Sequence, residues 1–161
     1  MSVRIRSASP GDATALVAVY RAAVGALGGD HYTNDERAAW RNAVTEEAMR
    51  EGVIASETRS FVAEIDERVV GFSTLHEREV RAVYVRPAVQ GQGIGAILLG
   101  AVEETAATRD IQTLTVAASL NAVGFYERQG YEAVGKGAMD LGGRSIRCVE
   151  MEKDIGEAPT D

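Results

Sequence analysis

Gln90-Gly91-Gln92-Gly93-Ile94-Gly95 stands between two runs of opposite periodicity. Before it, residues 79–85 (EVRAVYV) read as a strand closed by Arg86-Pro87. After it, Ile94, Ile97, Leu98, Ala101 and Val102 line one face of a helix expected over 94–109. Glycines let the backbone turn tightly and keep side chains from standing between its amides and an anion. The helix start adds unpaired N–H groups and the positive end of a dipole. The hexapeptide therefore reads as a pyrophosphate cradle, with a purely structural glycine turn as the plainer alternative. The dinucleotide fingerprint is excluded, because Gly91-x-Gly93-x-Gly95 has the wrong spacing and follows four strands rather than one. The nucleoside-triphosphate loop is excluded too, since no Gly-Lys-Ser/Thr follows.

Around this turn the chain alternates between strand and helix signals. Residues 3–7 suit a short strand, and Ser9-Pro10-Gly11-Asp12 opens a helix that Gly28-Gly29 stops. Thr33-Asn34-Asp35-Glu36 is a capping-box pattern that starts a second helix, and Thr45-Glu46-Glu47 begins a short third reaching about Ala55. Residues 60–65 and 69–75 form a hairpin around Asp66-Glu67-Arg68. Further strands are expected at 113–117, 131–136 and 145–152, with a helix at 120–129 closed by Gly130. This order predicts an α/β (α+β) single domain over 1–153, with about seven strands in one mixed sheet, about four helices and a disordered tail at 154–161.

The composition narrows the function classes. The 161 residues are 45% hydrophobic and 25% charged, as in an ordinary globular domain. No apolar run reaches the ~18 residues of a membrane span, and residues 1–10 lack the apolar core of a signal peptide. The single cysteine, Cys148, forbids an internal disulfide and a multi-cysteine zinc site; no metal is expected, and a reducing cytoplasm is. A net charge of −7 argues against nucleic acid as a partner.

Two segments carry a resemblance. Arg86-Pro-Ala-Val-Gln-Gly-Gln-Gly-Ile-Gly95 is similar to the acetyl-CoA signature Gln/Arg-x-x-Gly-x-Gly/Ala, and Ala122-Val-Gly-Phe-Tyr-Glu-Arg-Gln-Gly-Tyr131 to A-x-x-F-Y-E-x-x-G-F/Y. Both signatures, one strand and one helix apart, resemble the GNAT superfamily of N-acetyltransferases. The resemblance implies that the fourth and fifth strands, 79–85 and 113–117, splay apart to admit the pantetheine arm of acetyl-CoA as co-substrate. Main-chain groups of Val83 and Val85 would pair with that arm, and the amides of Gln90, Gly91, Gln92, Gly93, Ile94, Gly95 and Ala96 would hold the pyrophosphate. The family's asparagine position is Ser119 here, with Asn121 two residues on, so either side chain could touch the cofactor. Family members often pair through late strands, which implies a homodimer.

The implied chemistry is attack by a primary amine, on a small molecule or peptide, on the thioester in a ternary complex. Tyr126 matches the tyrosine beside the CoA sulfur, where it would protonate or stabilise the thiolate; a buried aromatic is the alternative. Glu79, eleven residues before Gln90, matches a general base. Strand alternation puts it on the face of Arg81, Val83 and Val85 unless a bulge intervenes. His76 is a second base candidate. His31, Tyr32 and Trp40 would line the acceptor pocket, although Tyr20, Tyr32 and Trp40 equally suit a core. Cys148 reads as a small core residue without a partner base. The competing reading is a CoA-binding module that senses acyl-CoA without turnover.

Overall fold

The structure, a computed structural model, describes residues 2–156. Seven strands form one sheet: β1 (Arg4–Ser7), β2 (Thr58–Ile65), β3 (Arg68–His76), β4 (Glu79–Val85), β5 (Thr113–Ser119), β6 (Glu132–Leu141) and β7 (Arg144–Asp154). Their spatial order is β1-β2-β3-β4-β5-β7-β6. All neighbours are antiparallel except β4 and β5. The hairpin expected between β2 and β3 closes on a two-residue turn, Asp66-Glu67, with φ of 51° and 66°. Left-handed backbone at both positions matches the twist of the flanking strands.

Five helices cover the sheet: α1 (Ala13–Gly25), α2 (Asn34–Arg41), α3 (Glu46–Ile54), α4 (Ile94–Thr108) and α5 (Val123–Arg128). Pro10–Asp12 forms a 3-10 turn ahead of α1. The capping box before α2 is present, with Thr33 Oγ1 accepting from Glu36 N at 3.1 Å and Glu36 Oε1 accepting from Thr33 N at 2.9 Å. The segment expected as a helix over 120–129 is helical only from Val123. Residues 119–122 instead form a turn, in which Ala122 N donates to Ser119 O at 2.8 Å. Gly130, at φ 94°, ends α5 as expected.

Alternation in the strands feeds a core on each face of the sheet. Phe61, Ala63 and Ile65 of β2 pack with Leu98, Leu99 and Val102 of α4, while Val62 and Phe72 face Leu16, Val19 and Tyr20 of α1. Each large side chain so buried stabilises the fold by about 2 kcal/mol. Ser73, wholly buried, satisfies its hydroxyl by donating to Leu98 O at 3.0 Å. Strand β7 runs further than expected, to Asp154, and Ile155 N donates to Gln112 O at 2.8 Å. Of the expected tail, residues 157–161 lie outside the described residues.

Candidate functional site: a cleft between diverging strands

Strands β4 and β5 pair only through Glu79–Thr115 and Val80–Val116. Beyond that point β4 stays with β3 as far as Val85, and β5 stays with β7 as far as Ser119. The register of β3 on β4 jumps from Leu75–Val80 to Thr74–Ala82, leaving Arg81 as a bulge. A bulge adds local twist and turns its strand away from a neighbour. The sheet therefore opens into a V.

The V forms a cleft of ≈ 680 Å³. Val83, Tyr84 and Val85 line one wall, Ser119 and Asn121 the other, and Gln90, Gly91 and Gly93 to Ala96 the head. Gly91 and Gly93 have φ of 83° and 80°, which only glycine adopts cheaply. The first helical bond of α4 joins Ile97 N to Gly93 O at 3.2 Å. Among the described residues, none of the amides from Gly91 to Ala96 donates to another backbone carbonyl outside a helix or strand. These free donors stand at the dipole's positive end, the arrangement an anion cradle requires. A Cβ on Gly95 would stand 3.3 Å from the Phe125 ring, so glycine there also lets α4 rest on α5.

The other expected residues are placed unevenly. Trp40 lines the cleft, its Nε1 donating to Tyr84 Oη at 3.4 Å. Gln92 does not line it. Tyr126 lies just beneath the floor, 5% exposed, edge-on to Phe125 and Tyr131 with centroids 5.0 and 5.4 Å away. Burial, reinforced by the nearby Tyr84, raises its pKa well above the ordinary tyrosine value, so the hydroxyl keeps its proton.

Glu79 sits where β4 and β5 last touch, not on the cleft wall, and its carboxylate accepts from Arg81 Nε. The bulge at Arg81 breaks the expected alternation. Val80, Val83 and Val85 share the α4 face, whereas Ala82 and Tyr84 face α1. Glu79, opposite Val80, therefore falls on the α1 face rather than with Val83 and Val85. His76 is held away from the cleft by Thr58 Oγ1 at 2.7 Å and Glu77 at 3.2 Å.

Tyr32 is 2% exposed, and its hydroxyl accepts from Leu120 N at 2.8 Å and donates to Arg147 O at 2.6 Å. It ties the α1–α2 loop to β5 and β7, outside the cleft. His31 is exposed beside it and offers its carbonyl to Arg147 at 2.7 Å. Tyr20 is core, as one of its readings held, and donates to Trp40 O at 2.5 Å. Cys148 is buried on β7, where burial and Glu150 push its thiol up to about 11. That leaves it a poor nucleophile.

Tyr84, Leu27 and Phe125 also line the cleft, although the sequence did not single them out. Phe125 had a readable signal, since it falls at helical spacing from Ala122 and Gln129, the two residues that flank α5. Tyr84 had none. Alternation puts it on the opposite face from Val83 and Val85, and only the splay exposes both faces to one space.

The comparisons with known proteins agree with this geometry. A family model described as an acetyltransferase (GNAT) domain matches residues 29–155. A peptidyl-lysine N-acetyltransferase, YjaB, of Salmonella typhimurium is 30% identical over 143 residues, which cover 87% of this chain and 90% of that one. The crystal structure of a GCN5-related N-acetyltransferase from Rhodopseudomonas palustris superposes with a TM-score of 0.89 at 28% identity, covering 96% of each chain. The PaiA N-acetyltransferase of Thermoplasma acidophilum, solved in complex with coenzyme A, shares the fold at a TM-score of 0.79 and 23% identity, over 96% of this chain and 99% of that one. The chain belongs to the GNAT acetyltransferase family and is an N-acetyltransferase.

Proposed function

We propose that the protein transfers the acetyl group of acetyl-CoA directly to a primary amine on a small molecule or a peptide, through a ternary complex. The observation that carries this reading is the V between β4 and β5, headed by the free amides of Gly91 to Ala96. A pyrophosphate at those amides leaves the pantetheine arm to run down the gap beside Val83 and Val85, like an added strand. Ser119 and Asn121 both line the opposite wall, so both are assigned to the cofactor. The name of the Salmonella relative adds a peptide lysine to the candidate acceptors.

In this reading the amine nitrogen attacks the thioester carbonyl, the C–S bond breaks, and the thiolate takes a proton from Tyr126. Burial suits Tyr126 to that part, because it holds the proton across the working pH range. Glu79 would take the amine's proton through water rather than directly, since it lies four residues along β4 from Val83, roughly 13 Å. Trp40 and Tyr84 would form the acceptor's wall. The reading places the protein in the cytoplasm, where a lone buried thiol such as Cys148 stays reduced, and as a homodimer paired through its late strands.

The test is thiol release from acetyl-CoA with a panel of amines, for the wild type and for Tyr126→Phe and Glu79→Gln. Tyr126→Phe is expected to lower kcat by about 10²-fold or more while calorimetry finds CoA binding unchanged. Turnover equal to wild type in that variant would remove Tyr126 from the mechanism. Absence of CoA binding by the wild type would remove the whole reading.

A further inference from the structure

A second hollow, of ≈ 450 Å³, lies between α1 and α2. Its walls include Arg21, Ala22 and Gly25 from α1, and Asn34, Arg37 and Arg41 from α2. It is distinct from the cleft: Ala23, Val24 and Trp40, the neighbours of these residues in sequence, line the cleft instead.

Three of the chain's 17 basic residues converge here, in a protein of net charge −7. Yet no ion pair among the described residues involves Arg21, Arg37 or Arg41. Arg37 donates to Leu27 O at 2.6 Å and to Asn34 Oδ1, and Arg21 donates to Val44 O at 3.3 Å. These acceptors orient the guanidinium groups and neutralise no charge. Arg41 forms no hydrogen bond among the described side-chain contacts; its stem lies over Gly25, where a Cβ would meet its Cδ at 3.7 Å. Moreover, the Nε atoms of Arg21 and Arg37 are buried and have no partner.

A buried N–H without an acceptor is costly, and three like charges brought together repel one another. One kind of ligand offsets the uncompensated charge. A carboxylate or phosphate group accepts two parallel bonds from a guanidinium fork and cancels the charge. The volume suits a small molecule.

We propose that Arg21, Arg37 and Arg41 form a receptor for a small oxyanion, the carboxylate or phosphate group of a metabolite, separate from the acyl-donor cleft. An anion there draws α2 onto α1. Because α2 carries Trp40 into the cleft, the bound anion also fixes the acceptor's wall. The net charge of the chain points to cationic ligands, and this pocket is the local exception.

Titration calorimetry with inorganic phosphate and with succinate tests the proposal, with ionic strength held constant by sodium chloride. Wild type, Arg41→Gln and Arg37→Gln are compared, and circular dichroism reports whether each variant folds. Arg41→Gln removes no hydrogen bond, so it is the variant that keeps the fold. The expected result is saturable binding of at least one probe, weaker by about tenfold or more in Arg41→Gln. The tighter probe then distinguishes a phosphate from a carboxylate ligand. Phosphate binding that Arg41→Gln leaves unchanged would belong to the Gly91–Ala96 cradle and would overturn the proposal. Heat that never saturates with either probe would overturn it as well.

Discussion

Tyr32 shows how one hydroxyl can look like a ligand contact in sequence and serve as a tie in the fold. It lies in the loop that the family resemblance assigns to the acceptor, yet its oxygen is fully engaged by Leu120 N and Arg147 O. Removing it takes a partner from the Leu120 amide and from the Arg147 carbonyl, at two part-buried hydrogen bonds. Tyr32→Phe is therefore expected to lower unfolding free energy by about 2 kcal/mol in urea titrations, with little change in KM for the amine. A raised KM at unchanged stability would restore the acceptor role. Tyr126 and Phe125 make the complementary point. Adjacent residues on α5 meet different surroundings: Phe125 lines the cleft, whereas Tyr126 is buried against the Phe125 and Tyr131 rings. The motif identifies the pair, and helical geometry separates their surroundings.

At the level of elements, the junction between β1 and α1 depends on one carboxylate. Asp12 accepts from Arg6 at 2.8 and 2.9 Å and from Ser9 N at 2.8 Å, while Arg6 also reaches Glu64 on β2 at 3.1 Å. The Arg6 bonds, helped by Ser9 and opposed by burial, hold the Asp12 carboxyl at about 2, below its usual 3.8. A folded-state pKa depressed in this way adds stability that is complete above the unfolded value. That stability is lost as the pH falls through 3.8 towards about 2. Asp12→Asn should thus cost about 1–2 kcal/mol near neutrality, and the gap from wild type should close as the pH approaches 2. Chemical denaturation across that pH range checks it; a pH-independent gap would mean that Asp12 acts through packing alone.

On the scale of the whole molecule, β6 is the sheet's outer strand beyond β7, ten residues long, with Val134 58% exposed. It contains no proline, and although Glu132, Lys136, Asp140 and a bulge at Val134 interrupt it, no described strand pairs with its outer side. Pairing of this edge with a second copy is the form the proposed homodimer takes. Sedimentation equilibrium is expected to give twice the chain mass, shifted towards the monomer by Val134→Glu. A monomer at micromolar wild-type protein would remove the dimer from the proposed function.

Much of this protein was written in its local sequence. The succession of strands and helices along the chain, the glycine turn ahead of α4 and α5's glycine stop follow from periodicity, glycine placement and capping chemistry, which act within a few residues. Residues 120–122 read as the start of the helix, but the bond from Ala122 N to Ser119 O turns the chain before the helix begins. The side that Glu79 occupies depended on a bulge at Arg81, set by how β3 pairs with β4 rather than by either strand alone. Likewise, Tyr84 joins the cleft only because β4 and β5 part after two residue pairs. The arginine hollow needs α1 and α2 side by side. Local propensity selects the elements; which faces then share a space is decided by long-range pairing and twist, and these have no signature at short range.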